Sequence, residues 1–280
     1  MRRTGAATPA ALIGLALLAI ALFPIGLLAV AAGASPAAAQ VRSVEIENST
    51  FRITLEDGRV LAQESLPGTV LALGDGSGRQ RTIRIDAVER DPRDPAGEVV
   101  LYTLSEPDPA GNWHNLCEPD PDGRRLGFPL PGAFTPDGRY MPGPGRLLLT
   151  CTGGAEGKCI RFGYKPWRQA PGGASLESYY QACVRLVRAD YCGDGVGHTR
   201  NGTPIDIFDR IGIQRDESAP GMSFEAAFGP DGAVCVRHTR LSDVLQSDAL
   251  GAACPRLAGH IGESCDDTAD ALLFVRSVGR

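Results

Sequence analysis

The sequence has very little lysine and no excess of basic over acidic residues, and this narrows the classes of partner to consider. It has only two lysines, Lys158 and Lys165, and its formal net charge is −5. A chain without a basic excess lacks the footprint that neutralisation of phosphate groups requires. We therefore expect neither nucleic acid nor an anionic membrane surface to be a partner of the folded protein.

The sequence also lacks the short motifs that mark common catalytic and cofactor sites. It contains no Gly-x-Ser-x-Gly and no His-Glu-x-x-His. The glycine-rich stretch 74–78 lacks the Gly-Lys-Ser/Thr ending of a phosphate-binding loop, so we interpret it as a hairpin turn. The acidic stretch 118–123 resembles the start of a calcium loop, but Pro129 stands where that loop needs glutamate. We interpret it as a turn and predict no cofactor.

Cysteine is absent before Cys117, which excludes a lipid-modified cysteine at a signal-peptide junction. The later part of the chain has an even number of cysteines, which in an exported protein indicates a disulfide framework. Their spacings are wider than those of zinc-binding pairs. Roughly a hundred pairings are open to such a set, and the sequence does not choose among them. The cysteines are Cys117, Cys151, Cys159, Cys183, Cys192, Cys235, Cys254 and Cys265.

The first 39 residues have the organisation of a secretory signal peptide. Arg2 and Arg3 precede an apolar run at about residues 10–34, and the small residues 37–39 follow it. These are the basic start, apolar core and cleavage site of such a signal. We predict cleavage after Ala39 and export to the periplasm, the cell surface or the medium. The alternative is an uncleaved anchor, because the run is longer than a usual signal core, and the protein would then be held at a membrane.

Residues 40–105 are free of cysteine and alternate between apolar and polar side chains. The alternation is clear at Phe51–Leu55 and again at 82–85. A period of two residues with turn residues between the runs predicts short antiparallel strands. We interpret this part as a small N-terminal β subdomain.

Residues 106–280 hold all the cysteines and form the second predicted part. Pro-Asp-Gly occurs at 121–123, 136–138 and 230–232, and this tripeptide favours tight turns with glycine in the left-handed conformation. One helix is predicted over Ser175–Ala189, because residues 176, 180, 183 and 187 fall on one apolar face. The fold class is therefore α+β, mostly antiparallel β with one clear helix, and stapled by disulfides.

Several motifs in this second part occur in a characteristic order. They are Trp113–Cys117, Lys158–Trp167, Ala189-Asp190-Tyr191-Cys192 and Cys235–Arg240. In this order they resemble the bacterial ADYC domain, over roughly residues 105–277. The resemblance implies a secreted domain of uncharacterised activity, and it brings no catalytic residues to carry over.

The loop after the ADYC motif holds the densest cluster of polar residues. Asp194 and His198 are candidates for an acid/base pair, since a carboxylate orients an imidazole and raises its basicity, and Asp206 is a candidate third member. The alternative is a disulfide-pinned loop in which the acidic side chains make local turn bonds.

The tripeptide His-Thr-Arg occurs twice, at 198–200 and 238–240. If the two copies are adjacent in space, His198 and His238 are candidate metal ligands, and the arginines are candidates for holding an anion.

We expect an exported, disulfide-stabilised binding or structural module, because no complete catalytic set is visible. Its partner would be an unidentified extracytoplasmic ligand or protein. The alternative is an exported hydrolase or metal-dependent enzyme centred on Asp194, His198 and Asp206.

Overall fold

The computed structural model describes residues 40–74, 80–143, 145–265 and 268–279. The predicted signal peptide lies outside these residues, as does the predicted turn at 74–78 apart from Gly74. The described residues belong to one folded unit. No helix in the described ranges is long and apolar enough to cross a membrane.

Most of the regular structure is β-strand, as predicted. The strands are β1 (Val41–Glu47), β2 (Thr50–Leu55), β3 (Val60–Ala62), β4 (Val70–Gly74), β5 (Gln80–Arg90), β6 (Val100–Pro107), β7 (Trp113–Asn115), β8 (Gly127–Pro131), β9 (Ala133–Phe134), β10 (Tyr140–Met141), β11 (Leu147–Cys151), β12 (Asp206–Asp209), β13 (Ser223–Gly229), β14 (Gly232–Val236) and β15 (Leu273–Ser277). The α-helices are α1 (Ala155–Arg161), α2 (Glu177–Arg188) and α3 (Ser247–Ala253). Short 3-10 turns occupy Gln63–Ser65, Pro255–Leu257 and Gly262–Ser264. The α+β class, with mostly antiparallel sheets, is confirmed.

The alternating pattern near residue 50 corresponds to β2, the middle strand of a three-stranded antiparallel sheet. Phe51, Ile53 and Leu55 are buried, whereas Arg52 between them is exposed. Side chains on a strand alternate between its two faces, so one face of this sheet joins the core.

A larger, six-stranded sheet has the order β11-β8-β6-β5-β4, with β7 paired to β6. Strands β4 and β5 precede residue 105, whereas β8 and β11 follow it. The sheet is therefore continuous across the predicted division at residue 105. Strand β6 lies in its centre and contributes a nearly unbroken buried run, Val100–Ser105, in which only Thr103 is partly exposed. Both faces of this strand are therefore covered.

Buried ion pairs join the loop that follows β5 to the segment around α1. The Arg161 guanidinium contacts Asp91 at 2.6 Å and Asp120 at 3.4 Å. The Lys165 ammonium contacts Asp94 at 2.7 Å. Burial works to raise the pKa of Asp94, but hydrogen bonds from Lys165 and from backbone N–H groups outweigh it, so that this pKa is lowered. The stretch 118–123 is a turn, as predicted, and Asp120 is committed to internal bonds.

The second half of the chain is built on a four-stranded antiparallel sheet, with the order β12-β15-β13-β14. Helix α2 packs against β13, β14 and β15. It starts two residues later and ends one residue earlier than predicted. Just before the helix, the Ser175 hydroxyl accepts a hydrogen bond from the N–H of Glu177, at 3.2 Å. Cys183 is fully buried, as its place on the apolar face predicts.

All eight cysteines lie within the described residues and are paired. The bonds are Cys117–Cys151, Cys159–Cys183, Cys192–Cys254 and Cys235–Cys265. The first bond links the segment after β7 to the end of β11, and the second joins α1 to α2. The third links the loop after α2 to the end of α3, and the fourth links β14 to the segment before β15. These bonds confirm the stapled fold and indicate an oxidising, extracytoplasmic environment.

Candidate functional site

The ADYC motif begins where helix α2 ends. Ala189 takes the left-handed conformation, with φ of 52°, and its N–H bonds to the carbonyls of Arg185 and Leu186. Left-handed backbone stops a helix and costs energy in any residue other than glycine. A fully buried alanine therefore adopts it here only because the surrounding contacts hold it in place.

The second residue of the motif, Asp190, is a buried carboxylate that organises the next loop. It accepts hydrogen bonds from the backbone N–H groups of Gly193, Asp194 and Gly195, at 2.9–3.1 Å. It also pairs with the guanidinium of Arg185, whose side chain is 2% exposed. A carboxylate removed from water is costly unless it is paired and hydrogen-bonded. Asp190 is satisfied on both counts.

Arg185 also hydrogen-bonds to two turns that are distant from it in sequence. Its Nη1 donates to the carbonyl of Asp137, and its Nε donates to that of Pro230 at 3.5 Å. Both carbonyls belong to predicted Pro-Asp-Gly turns. In these turns Gly138 and Gly232 have φ of 75° and 112°, which confirms the prediction of left-handed glycine.

The loop that follows Asp190 packs closely on these two turns. At two of its positions there is no space for a Cβ atom. A Cβ atom on Gly193 would lie 1.9 Å from the carbonyl oxygen of Asp231. A Cβ atom on Gly195 would lie 2.7 Å from the carbonyl oxygen of Pro136. The close approach of two segments of backbone therefore requires glycine at these two positions.

The third residue, Tyr191, is fully buried and connects the motif to the C-terminal sheet. Its hydroxyl donates to Glu225 on β13 at 2.9 Å and accepts from the N–H of Arg240 at 2.8 Å. Burial, reinforced by the nearby Glu225 carboxylate, raises the pKa of Tyr191 well above its ordinary value. The phenol therefore stays neutral and serves as a fixed hydrogen-bonding link.

Glu225 and Arg240 form a second buried ion pair beside Tyr191. Two guanidinium nitrogens of Arg240 contact the carboxylate, at 3.0 and 3.1 Å. The same guanidinium donates to the carbonyls of Leu186 and Val187 in the last turn of α2. A cation at this position adds a hydrogen-bond donor to carbonyls at the C-terminal end of the helix and is favoured by the helix dipole.

The last residue of the motif, Cys192, fixes the loop to a distant segment through its bond to Cys254, 62 residues away. Nearby, Arg256 donates to the carbonyls of Tyr191 and Ala233. Each residue of the motif thus makes a specific contribution to the fold: Ala189 ends the helix, Asp190 holds the loop, Tyr191 bonds to the C-terminal sheet and Cys192 forms a disulfide.

The predicted acid/base pair is not formed by a direct contact. Asp194 is exposed, and its Oδ1 accepts from the N–H of Val196 in a local turn. The His198 ring stacks on Tyr191, and its Nδ1 lies 3.2 Å from the carbonyl oxygen of Ala189. Within the described residues, no hydrogen bond or ion pair joins Asp194 to His198. These roles match the alternative of local turn bonds, and catalysis by the pair stays a prediction.

Asp206 lies apart from these contacts, on strand β12. It stands opposite Arg276 of β15. Its Oδ2 is buried and has no hydrogen-bonding partner within the described residues. Asp209, at the end of the same strand, accepts from the Tyr164 hydroxyl and from four backbone N–H groups.

The arginines of the two His-Thr-Arg tripeptides, and not their histidines, face a common cleft. Arg200 and Arg240 line the same cleft. His238 instead contacts the hydroxyl of Ser223 and the carbonyl of Thr239, while His198 lies on the ADYC motif. The described residues contain no group of three or more His, Cys, Asp or Glu side chains placed to hold a metal ion.

The cleft between the two tripeptides has a volume of about 390 Å³. It is lined by residues 200–204 together with Arg240, Leu241, Asp243 and Val278. The Arg200 guanidinium is paired with Asp243 at 2.7 Å, so its charge is compensated. In contrast, the side chains of Asn201 and Thr203 make no hydrogen bond within the described part of the chain.

Sequence reasoning overlooked the residues that matter most to this architecture. Arg185 lies outside the apolar face that predicts α2, and no local pattern singles out Glu225. Their partners are distant in sequence or follow the end of a helix. No local pattern of apolar and polar residues therefore identifies them as buried. The one available signal was a charged residue within an otherwise apolar context, as with Glu225 between Phe224 and Ala226.

A model of the ADYC domain matches residues 63–242. The chain therefore belongs to the ADYC domain family, as the sequence motifs predicted. The match begins well before residue 105, so it includes part of the region that the resemblance left out. No curated protein and no solved structure matches the chain.

Replacing Asp190 by asparagine tests the role of the buried carboxylate. Asp190→Asn preserves size but leaves the Arg185 guanidinium buried without its counter-charge. We expect the free energy of unfolding to fall by about 3–5 kcal/mol, measured by urea denaturation. The matched control is Asp194→Asn at the exposed neighbouring carboxylate, where we expect a change of about 1 kcal/mol or less. Equal stability of the two variants would contradict the assigned role.

Proposed function

We propose that this protein is an exported, disulfide-stabilised binding module, and that its ligand occupies the cleft between the two His-Thr-Arg tripeptides. The proposal depends mainly on one observation. The polar groups of the ADYC motif are used for internal bonds, whereas the side chains of Asn201 and Thr203 line the cleft without a hydrogen-bonding partner among the described residues. Binding sites typically combine such a small number of polar groups with apolar walls.

The lining of the cleft favours a small neutral polar ligand. The pairing of Arg200 with Asp243 and of Arg240 with Glu225 leaves little free charge. The Asn201 amide and the Thr203 hydroxyl both donate and accept hydrogen bonds. Leu241 and Val278 add apolar surface, and Val278 is 42% exposed.

Export is the second part of the proposal. The disulfides indicate an oxidising compartment, and the first 39 residues have the sequence pattern of a secretory signal. The protein would act in the periplasm, at the cell surface or in the medium.

Mass spectrometry of the protein expressed from its full gene in a bacterial host tests export. We expect the extracytoplasmic fraction to contain a chain that begins at Gln40. Peptide mapping without reduction should show the pairs 117–151, 159–183, 192–254 and 235–265. A chain that is retained in the cytoplasm with free thiols would contradict export. A chain that is recovered in the membrane with residues 1–39 intact would support the anchor instead.

Nuclear magnetic resonance tests ligand binding at the cleft. We expect some members of a library of uncharged, polyhydroxyl and amide fragments to shift the backbone amide signals of residues 201–203. The double variant Asn201→Ala, Thr203→Val should weaken that binding by about tenfold or more, because two hydrogen bonds are lost.

The control for this experiment is Ser178→Ala, which removes an exposed hydroxyl on α2 and should leave binding unchanged. Fragments that bind the double variant as strongly as the natural protein would contradict the assignment of the cleft. A library that shifts no signal in the cleft would count against the binding role itself.

A further inference from the structure

Ser223 and His238 form a contact that neither the ADYC motif nor the cleft accounts for. Ser223 is the first residue of β13 and is exposed. Its Oγ lies 2.9 Å from Nε2 of His238, which follows the end of β14. Among the described residues, Ser223 is the only serine with a hydrogen bond to a histidine ring.

The other nitrogen of His238 determines the direction of this hydrogen bond. Nδ1 lies 3.1 Å from the carbonyl oxygen of Thr239. A carbonyl only accepts hydrogen bonds, so the neutral ring carries its proton on Nδ1. Nε2 then presents its lone pair, and the Ser223 hydroxyl is the donor. This is the arrangement of a nucleophile beside its general base, with a carbonyl orienting the base.

The ring is held in place from more than one side. The backbone N–H groups of Arg237 and His238 both donate to the carbonyl of Glu225, at 2.7 and 3.3 Å. The C-terminal segment also packs closely, because a Cβ atom on Gly279 would lie 3.1 Å from the ring. Glu225 is itself fixed by its buried pair with Arg240. The backbone of the base is therefore anchored to the buried Glu225–Arg240 pair, as a preorganised site requires.

We propose that Ser223 is a nucleophile activated by His238 and that it accepts acyl groups from small esters. The Ser223 Oγ attacks the ester carbonyl carbon, and its proton passes to Nε2 of His238. The bond from the carbonyl carbon to the leaving oxygen then breaks, and that oxygen takes the proton from Nε2 and departs as an alcohol. Water attacks the acyl-serine, Nε2 accepts the proton of the water and returns it to Oγ, and a carboxylic acid is released.

The predicted reaction needs only the ester and water, and it is independent of binding in the cleft. The pair also differs from the acid/base residues expected from the sequence, because neither Asp194, His198 nor Asp206 takes part. Ser223 escaped sequence reasoning because 15 residues separate it from His238 and no nucleophile motif surrounds it.

Labelling of the folded protein with a fluorophosphonate probe tests the proposal. A serine oxygen displaces fluoride from the probe, and peptide mapping locates the modified residue. We expect modification at Ser223 and none in Ser223→Ala. His238→Gln keeps a polar side chain but has no basic nitrogen, and we expect it to slow labelling by about a hundredfold or more. Hydrolysis of p-nitrophenyl acetate should fall in parallel.

The control is Ser218→Ala, since Ser218 is an exposed serine whose hydroxyl bonds to Asp216 instead of a histidine. This variant should label at the natural rate. Neither Ser223 nor His238 lines the cleft, so a failure of this proposal can be distinguished from a failure of the proposed binding function. Circular dichroism confirms that each variant is folded. If His238→Gln does not fold, the comparison of Ser223→Ala with Ser218→Ala still decides the question. No modification of Ser223 in the natural protein, or an unchanged rate in folded His238→Gln, would overturn the proposal.

Discussion

The Asp190 carboxylate lies in the interior of the protein, where an isolated charge is not stable. It is held there by one guanidinium and three successive backbone N–H groups of the loop that follows it. The partners are fixed in turn, because Arg185 also holds the carbonyls of two turns. The conformation of the loop, the end of helix α2 and the position of these turns are thus coupled to a single buried group. Such networks favour one conformation when every member is satisfied.

The second buried pair, Glu225 with Arg240, extends this organisation to the C-terminal sheet. Tyr191 contacts both of its members, so the two charged networks are joined through adjacent residues of one motif. This has a functional consequence. The residues that define the family serve the fold, whereas candidate chemistry lies at the edges of the framework, in the cleft and at the contact of Ser223 with His238. Rigid frameworks with functional groups at their edges are a common arrangement in proteins.

The sequence predicted those features that depend on local pattern. Alternation around Phe51 identified a strand, the apolar spacing around Cys183 identified α2, and the even set of cysteines indicated disulfides. The cysteine pairs could not be predicted, because they depend on which distant segments meet. Arg185 could not be identified for the same reason. It lies outside the apolar face of α2 in the sequence pattern, yet it is buried in the fold. The sequence predicted an acid/base site at Asp194 and His198. In the structure both side chains make local or structural bonds, and catalysis by the pair stays a prediction.

Amide hydrogen exchange, followed by nuclear magnetic resonance, tests the central role of Asp190 most directly. If its carboxylate holds the loop, the N–H groups of Gly193, Asp194 and Gly195 exchange at least about a hundredfold more slowly than the amide of exposed Gly202, after correction for intrinsic rates. Exchange of the three amides at the same rate as Gly202 would contradict this account, because the hydrogen bonds to Asp190 would then not persist in solution.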